Sequence, residues 1–313
     1  MSTAERPPRR RVAVVGGAGF IGSNLVDALI ERGEDVLVVD NLSTGYRRNL
    51  NSAAQFEDID VSADSERLTS ALHGREVVFH TAAMPRVPRA IEDPVGTHAT
   101  NVTGALRVLK AAVDAGVRRV VYSSSSSVYG DQPSLPLTED MPPNPLHPYA
   151  CQKLMGEIYA RTFHRTYGLE TVCLRYFNVY GPRQVTEGAY RLVIGIFLDQ
   201  RRRGEPLTIH GDGLQTRDFT WVGDIVRANL LAAESERVGA GEPINVGAGN
   251  QVTIKRIAEL IGGPVVHTPP RGFDARHTRA GITRARELLG WEPRVQIEEG
   301  MQRLLEWTSS VSV

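Results

Sequence analysis

Arg11-Val-Ala-Val-Val-Gly16-Gly17-Ala18-Gly19-Phe20-Ile21-Gly22 is an apolar run that gives way to glycines, and its reading decides the fold. Arg11 to Val15 is continuous rather than alternating, the pattern of a strand buried on both faces in a parallel sheet. After the loop, Leu25, Leu29 and Ile30 recur at helical spacing between Ser23 and Glu31. In the turn between them Gly16 allows the tight bend, Gly19 lets the backbone approach a pyrophosphate, and Gly22 lets helix and strand pack closely. The helix N-terminus adds N–H donors and the positive end of a dipole, which suits phosphate oxygens. A glycine pattern alone is a weak signal. Here a second apolar strand, Val36-Leu-Val-Val39, ends in Asp40 about 20 residues further on, where an acid holds the adenosine ribose hydroxyls. A carboxylate at that place repels a 2′-phosphate, so the expected cofactor is NAD rather than NADP.

Outward from this unit, Val77-Val-Phe79, the helical stretch through Leu106, Val108, Leu109 and Val113, and Val120-Val-Tyr122 continue the alternation of strand and helix. That rhythm predicts an α/β fold, a Rossmann-type doubly wound parallel sheet. Such sheets bind ligands at the carboxyl ends of their strands, where this chain places Asp40, Asp60-Val61, Thr81-Ala82-Ala83 and the run Ser123 to Ser127. Asp60 could receive the adenine amino group; a solvated loop acid is the alternative. Gln132 to Pro148 is rich in proline and polar residues and reads as a loop, after which Tyr149 opens a helix. Tyr149 and Lys153 are four apart, so they share one helix face, and a cation beside a phenol favours the phenolate. Lowered in this way, Tyr149 becomes a useful base.

The composition sets limits. The chain has 313 residues, ample for a nucleotide-binding domain and a smaller substrate domain. Its 36 basic and 36 acidic residues balance, so nucleic acid is not an indicated partner. Two cysteines, Cys151 and Cys173, give neither a disulfide framework nor a metal cluster. They fit a reducing compartment as small packing residues, with a modifiable thiol the alternative for Cys151. The first ten residues lack the apolar stretch of a signal peptide, and no segment has the length of apolar residues needed to span a bilayer. The expectation is a soluble, cytoplasmic protein without metal.

At this point the chain resembles the extended short-chain dehydrogenase/reductase family and, within it, the UDP-hexose 4-epimerases. The matching residues run almost end to end: Gly16 to Gly22, Asp40-Asn-Leu-Ser43, His80-Thr-Ala-Ala83, Asn101-Val-Thr-Gly104, Ser123 to Gly130, Tyr149 to Lys153, Arg175-Tyr-Phe-Asn178, Gly211-Asp-Gly213, Arg217-Asp-Phe219 and Ile244-Asn-Val246. The resemblance implies a reaction without net redox change. Tyr149 takes the proton of the 4-hydroxyl while hydride leaves C4 for tightly held NAD; the 4-keto sugar turns over, and hydride returns to its other face. Lys153 then holds the nicotinamide ribose and Ser125 bonds the reacting oxygen, making Ser125, Tyr149 and Lys153 the catalytic set. The cofactor set carried over is Gly16, Gly19, Phe20, Ile21, Gly22, Asp40, Asn41, Asp60, Val61, Ala82, Ala83, Asn101, Ser123, Tyr149, Lys153 and Tyr176. For the UDP-sugar, Asn178, Arg217 and Arg271 match diphosphate positions and Asp274 a uridine-ribose position; Arg86, Ser125, Ser126, Ser127, Tyr149 and Thr278 complete the substrate set. Guanidinium forks suit phosphate oxygens.

The serine turn discriminates among relatives. The resembling 4,6-dehydratases carry Asp and Glu at the places of Ser126 and Ser127, and the nucleotide-sugar decarboxylases carry a Glu just before Val-Tyr-Gly; no such carboxylate stands here. Members acting on uronic acids offer several hydroxyls there, which favours UDP-glucuronic acid, although ordinary strand-end polarity also accounts for the serines. Thr278 is a gate position of modest size, and His80 to Ile91, with Arg86 and Arg89, resembles the N-acetylhexosamine branch. UDP-N-acetylglucosamine and UDP-glucose therefore stay open as substrates. A net NAD-dependent dehydrogenase and a non-catalytic NAD-binding sensor are the readings from other classes.

The expected division is a NAD-binding domain of residues 1–174 and 215–233, with a nucleotide-sugar domain of 175–214 and 234–313. The resemblance also implies a homodimer through helices near Val102 to Ala115 and Ala150 to Tyr167. Two departures look structural: Gly195, expected to loosen a substrate-domain loop, and Gly281, before a helix that Thr283 is expected to cap.

Overall fold

In the computed structural model, residues 9–184, 192–270 and 275–310 are described. Strands β1 (Arg11–Val15), β2 (Asp35–Asp40), β3 (Gln55–Asp58), β4 (Val77–His80), β5 (Arg119–Ser125) and β6 (Glu170–Tyr176) join the strand Ala240–Val246 in one seven-stranded sheet. Every neighbouring pair is parallel, in the order Ala240–Val246, β6, β5, β4, β1, β2, β3. The direction of winding reverses between β1 and β4, which opens a crevice at their carboxyl ends. Two apolar layers hold the sheet. Val12 and Val14 pack on one side with Leu25 and Leu29, while Ala13 and Val15 pack on the other with Leu68, Val108 and Leu109. Both faces of β1 are buried, which is why its sequence does not alternate.

The covering helices include α1 (Phe20–Glu31), α2 (Ser65–Leu72), α3 (Val87–Glu92), α4 (Pro94–His98), α5 (Ala105–Asp114) and α6 (Pro148–Tyr167). A π-helical turn, Ala99–Gly104, leads into α5. Pro148 begins α6 and His147 caps it by accepting from the Ala150 N–H; Gly168, left-handed at φ 72°, ends it. The stretch from Gln132 to His147 is irregular, as its composition predicts, apart from an isolated bridge between Leu137 and Ala280.

A second core, including Tyr180, Phe197, Leu207, Ile209, Ile257, Met301 and Leu304, marks the smaller lobe. The sheet reaches past the boundary expected at residue 233. Ala240–Val246 pairs with β6, and Ala285, Leu289 and Trp291 pack into the main core, so residues 234–313 are shared between the two lobes. Gly195 lies buried inside the helix Val193–Arg202 rather than in a loop. Thr283 is the first residue of its helix, whose cap is Ile282 with no side-chain hydrogen bond, so the capping role expected of it does not occur. No described helix is long and apolar enough to cross a membrane.

Candidate active site

The crevice is built from strand ends. Gly16 has φ +89°, and a Cβ there would stand 2.4 Å from the Ala82 nitrogen, so the glycine loop and the segment after β4 are in backbone contact. A Cβ on Gly22 would stand 2.1 Å from the Gly16 carbonyl oxygen, which makes glycine obligatory for the turn. The cap of α1 is Gly19, without a side chain to accept from the first turn, where Phe20 and Ile21 lie. That arrangement leaves N–H donors for a phosphate.

Asp40 ends β2 and is 9% exposed. Its carboxylate accepts from the Ala18 N–H at 3.0 Å and the Leu42 N–H at 2.8 Å, which orients it toward the loop, while burial raises its pKa. Asn41 is exposed beside it and accepts from the Ser43 N–H at 3.1 Å. Asp60 accepts from the Ser62 hydroxyl and N–H, bonds that hold its pKa down, and Val61 is buried against Gly104. These residues form a cradle with the donors, the acid and the missing side chains that a dinucleotide requires. Ala82, after β4, is the residue whose backbone meets Gly16.

Asn101 stands between the segment after β4 and α6. It is buried, its Oδ1 accepts from the Met84 N–H at 2.7 Å, and its Nδ2 donates to the Met84 carbonyl and to Gln152 Oε1. Its amide braces the segment after β4 against α6. Gln152, between Tyr149 and Lys153, completes the brace through the Thr97 hydroxyl at 3.0 Å.

Lys153 is 3% exposed and donates to the Ser123 carbonyl at 2.7 Å, with its ammonium 5.1 Å from the centre of the Tyr122 ring. Burial pulls its pKa down to about 8, against the opposing charge of Glu157. Glu157 lies one turn further along the same face of α6 and is itself pinned by the Ser124 hydroxyl and by both Nε and Nη2 of buried Arg175. Sequence reasoning passes over this pair, although the spacing 149, 153, 157 signals it. The Tyr176 hydroxyl donates to Asn229 Oδ1 at 3.0 Å and accepts from Ser123 Oγ at 3.1 Å.

Tyr149 is half-buried beside His147, whose ring is stacked 6.2 Å away. Burial pushes its pKa up to about 12, opposed by a hydrogen bond from Ser125 and by the positive charge of Arg86. Lys153, on the same helix face, donates to the Ser123 carbonyl, and burial of the phenol prevails over the groups that lower its pKa. Ser125 Oγ accepts from the Ser127 hydroxyl at 2.9 Å and the Ser127 N–H at 3.2 Å. Ser126 is half-buried at the start of the same 3-10 turn.

On the substrate side, Asn178 is half-buried after β6 and its carbonyl accepts from the Thr220 N–H. Arg217 donates to the Thr216 and Arg276 carbonyls, and Thr278 Oγ1 accepts from the Asp218 N–H. The structure thus brings Arg217 and Thr278 together. Arg271 and Asp274 lie outside the described residues.

Residues 12–247 match the model of the NAD dependent epimerase/dehydratase family. The chain belongs to that family. It is therefore an NAD-dependent enzyme of the short-chain dehydrogenase/reductase superfamily. The family member is similar to the UDP-glucose 4-epimerase of Mycolicibacterium smegmatis, 41% identical over 95% of this chain and 98% of that one. The crystal structure of a UDP-glucose 4-epimerase with UDP-glucose from Thermotoga maritima superposes at a TM-score of 0.90, with 40% identity over 96% and 98% of the two chains. A Bacillus cereus UDP-glucuronic acid 4-epimerase, solved with UDP-glucuronic acid and NAD, gives 0.87 and 31% over 96% and 99%.

Proposed function

We propose that the sugar this NAD-dependent UDP-sugar 4-epimerase turns over is UDP-glucuronic acid, interconverted with UDP-galacturonic acid. The observation that carries the reading is the positive charge of Arg86 acting at the Tyr149 phenol, beside whose partner Ser125 the turn Ser126–Tyr129 begins with the hydroxyl of Ser126. A hexose reacting at C4 against Tyr149 brings its C6 substituent into that neighbourhood. A carboxylate there is attracted by the Arg86 cation and the Ser126 hydroxyl, an attraction that a neutral hydroxymethyl group lacks.

Bound NAD supplies a reversible hydride acceptor. The chain's own residues handle the proton: Tyr149 takes it from the 4-hydroxyl as the C4–H bond breaks and returns it when that bond reforms. Ser125 donates to the oxygen that gains charge, and Ser127 fixes Ser125. The base in use is the phenolate, so the positive charges of Arg86 and the cofactor's nicotinamide must work against burial of the phenol. Epimerisation also requires the hexose to present both faces, so the nucleotide is gripped, with Arg217 on the diphosphate, while the sugar is held loosely.

NMR of the purified protein with UDP-glucuronic acid, UDP-N-acetylglucosamine and UDP-glucose in separate tubes, without added NAD, tests the proposal. Fastest appearance of the C4 epimer from the uronate supports it. Silence relieved only by NAD, with NADH accumulating, would move the assignment to a dehydrogenase. UDP-glucose is the second reading, favoured by the similarity to the M. smegmatis and T. maritima proteins.

The same proposal includes a homodimer through α5 and α6. Met155 and Ile158, three residues apart on one face of α6, are 37% and 56% exposed, apolar surface that a second copy would cover. Sedimentation as a monomer at working concentration would refute it.

A further inference from the structure

Asp218 is the least exposed charged group near the substrate side, with no accessible surface at all. One carboxylate oxygen accepts from the Ala248 N–H at 2.7 Å; the other accepts from Gly249 at 2.9 Å and Ala280 at 2.8 Å. Its own N–H donates to Thr278 Oγ1 at 3.3 Å. A single side chain therefore ties three segments: the turn after the sheet strand Ala240–Val246, the strap 276–281, and the short strand that carries Arg217.

The strap is hydrogen-bonded along both edges. On one side Thr216 N–H donates to Arg276 and Thr278 N–H donates to Thr216; on the other Leu137 N–H donates to Arg279 and Gly281 N–H donates to Leu137. Buried Asn245 closes that second edge by donating to the Leu137 and Gly281 carbonyls. The strap thus runs from Arg217 to the loop that delivers Tyr149. None of these bonds reaches the glycine loop or Asp40.

We infer that Asp218 is a positioning residue for the nucleotide, setting where Arg217 and Thr278 stand relative to Tyr149 without touching the substrate. The inference rests on the reading of this site as a UDP-sugar site. Three backbone N–H groups converging on one buried carboxylate are left without an acceptor, or face another donor, when the carboxylate is changed. Burial already pushes this acid up to about 6 against those three bonds and the nearby charge of Arg279, so the staple is held at a cost in desolvation.

Calorimetric titration of the NAD-loaded protein with UDP tests the idea, with NAD content measured on the same samples. Asp218→Asn turns an amide toward one of the N–H donors. Gly247→Ala leaves the carboxylate in place but puts a Cβ 2.4 Å from Ala280 Cβ and 3.1 Å from Asp218 Oδ2, pushing the strap away. Both should weaken UDP binding about tenfold while NAD content stays at the wild-type level. UDP affinity within about twofold of wild type in both would overturn the inference, and so would joint loss of NAD and UDP, which would mark the contact as one of global stability. A wild type that binds no UDP would overturn the site reading itself and this inference with it.

Discussion

On the cofactor side, Gly16 to Gly22, Asp40 and Ser123 to Ser125 stand where strands of one parallel sheet stop, so a few neighbouring residues set each geometry. On the substrate side, Arg217 sits on a two-residue strand, and Thr278 sits on a strap joined to it by an isolated bridge at His277. Its position depends on partners about 60 residues away, Thr216 and Asp218. The first construction gives compact motifs and a rigid cradle. The second gives a grip whose position is negotiated among distant segments, which suits a site that must hold a nucleotide while its sugar turns.

The largest effect should come where the two sides meet. Tyr149→Phe removes the proton acceptor and keeps the ring, so turnover should fall by about 10²–10⁴ while NAD remains bound. Retained activity in steady-state assays would exclude Tyr149 as the base. Next, Gly22→Ala attacks the cofactor side alone, since its Cβ would stand 2.1 Å from the Gly16 carbonyl. Relieving such a clash costs about 1–3 kcal/mol, so NAD retention through purification should drop by about tenfold or more. Undiminished NAD content would mean that the turn yields more easily than its contacts indicate.

These contrasts explain what can be read from the residues alone. The sheet, its helices and the Tyr149–Lys153 face follow from hydrophobic runs, glycine turns and four-residue spacing, all local. The strand Ala240–Val246 escapes the expected boundary because its place beside β6 is a long-range pairing. The bond from Asn101 to Gln152 is also out of local reach, because the two residues are 51 apart in the chain. Spacing on the helix likewise predicts a Tyr149 phenol lowered by its neighbour. Helical spacing brings Lys153 to the same face; it does not show that the ammonium turns to Ser123, or that burial of the hydroxyl outweighs it. The charge of Arg86 acts on the same phenol from another element altogether.

Arg86→Leu sharpens the comparison through two readouts. On UDP-glucuronic acid, loss of a charged partner worth about 1.5–3 kcal/mol should lower kcat/KM by roughly 10–100-fold, with a smaller effect on UDP-glucose. On UDP-glucose, whose hexose is neutral, the pH profile reports the phenol. Arg86 lowers the pKa of Tyr149, so its removal must raise that pKa and move the rising limb of kcat/KM to higher pH. Equal losses on both sugars with an unmoved limb would detach Arg86 from both the carboxylate and the phenol.

The smallest effect is expected at Gly281, where the strap passes the loop leading to Tyr149. A Cβ there would lie 3.0 Å from Thr138 Cγ2 and 3.1 Å from the Leu137 carbonyl, tight contacts that a slight shift of the strap relieves. Gly281→Ala should therefore cost about 1 kcal/mol of stability and raise KM for the UDP-sugar a few-fold, with kcat and NAD content unchanged. Because Gly281 N–H donates to Leu137 and its carbonyl accepts from Asn245, the shift has to pass along the strap toward Thr278. A fall in kcat with KM unchanged would instead mean that the disturbance travels toward Tyr149, and that the two sides of the site are less separable than their construction indicates.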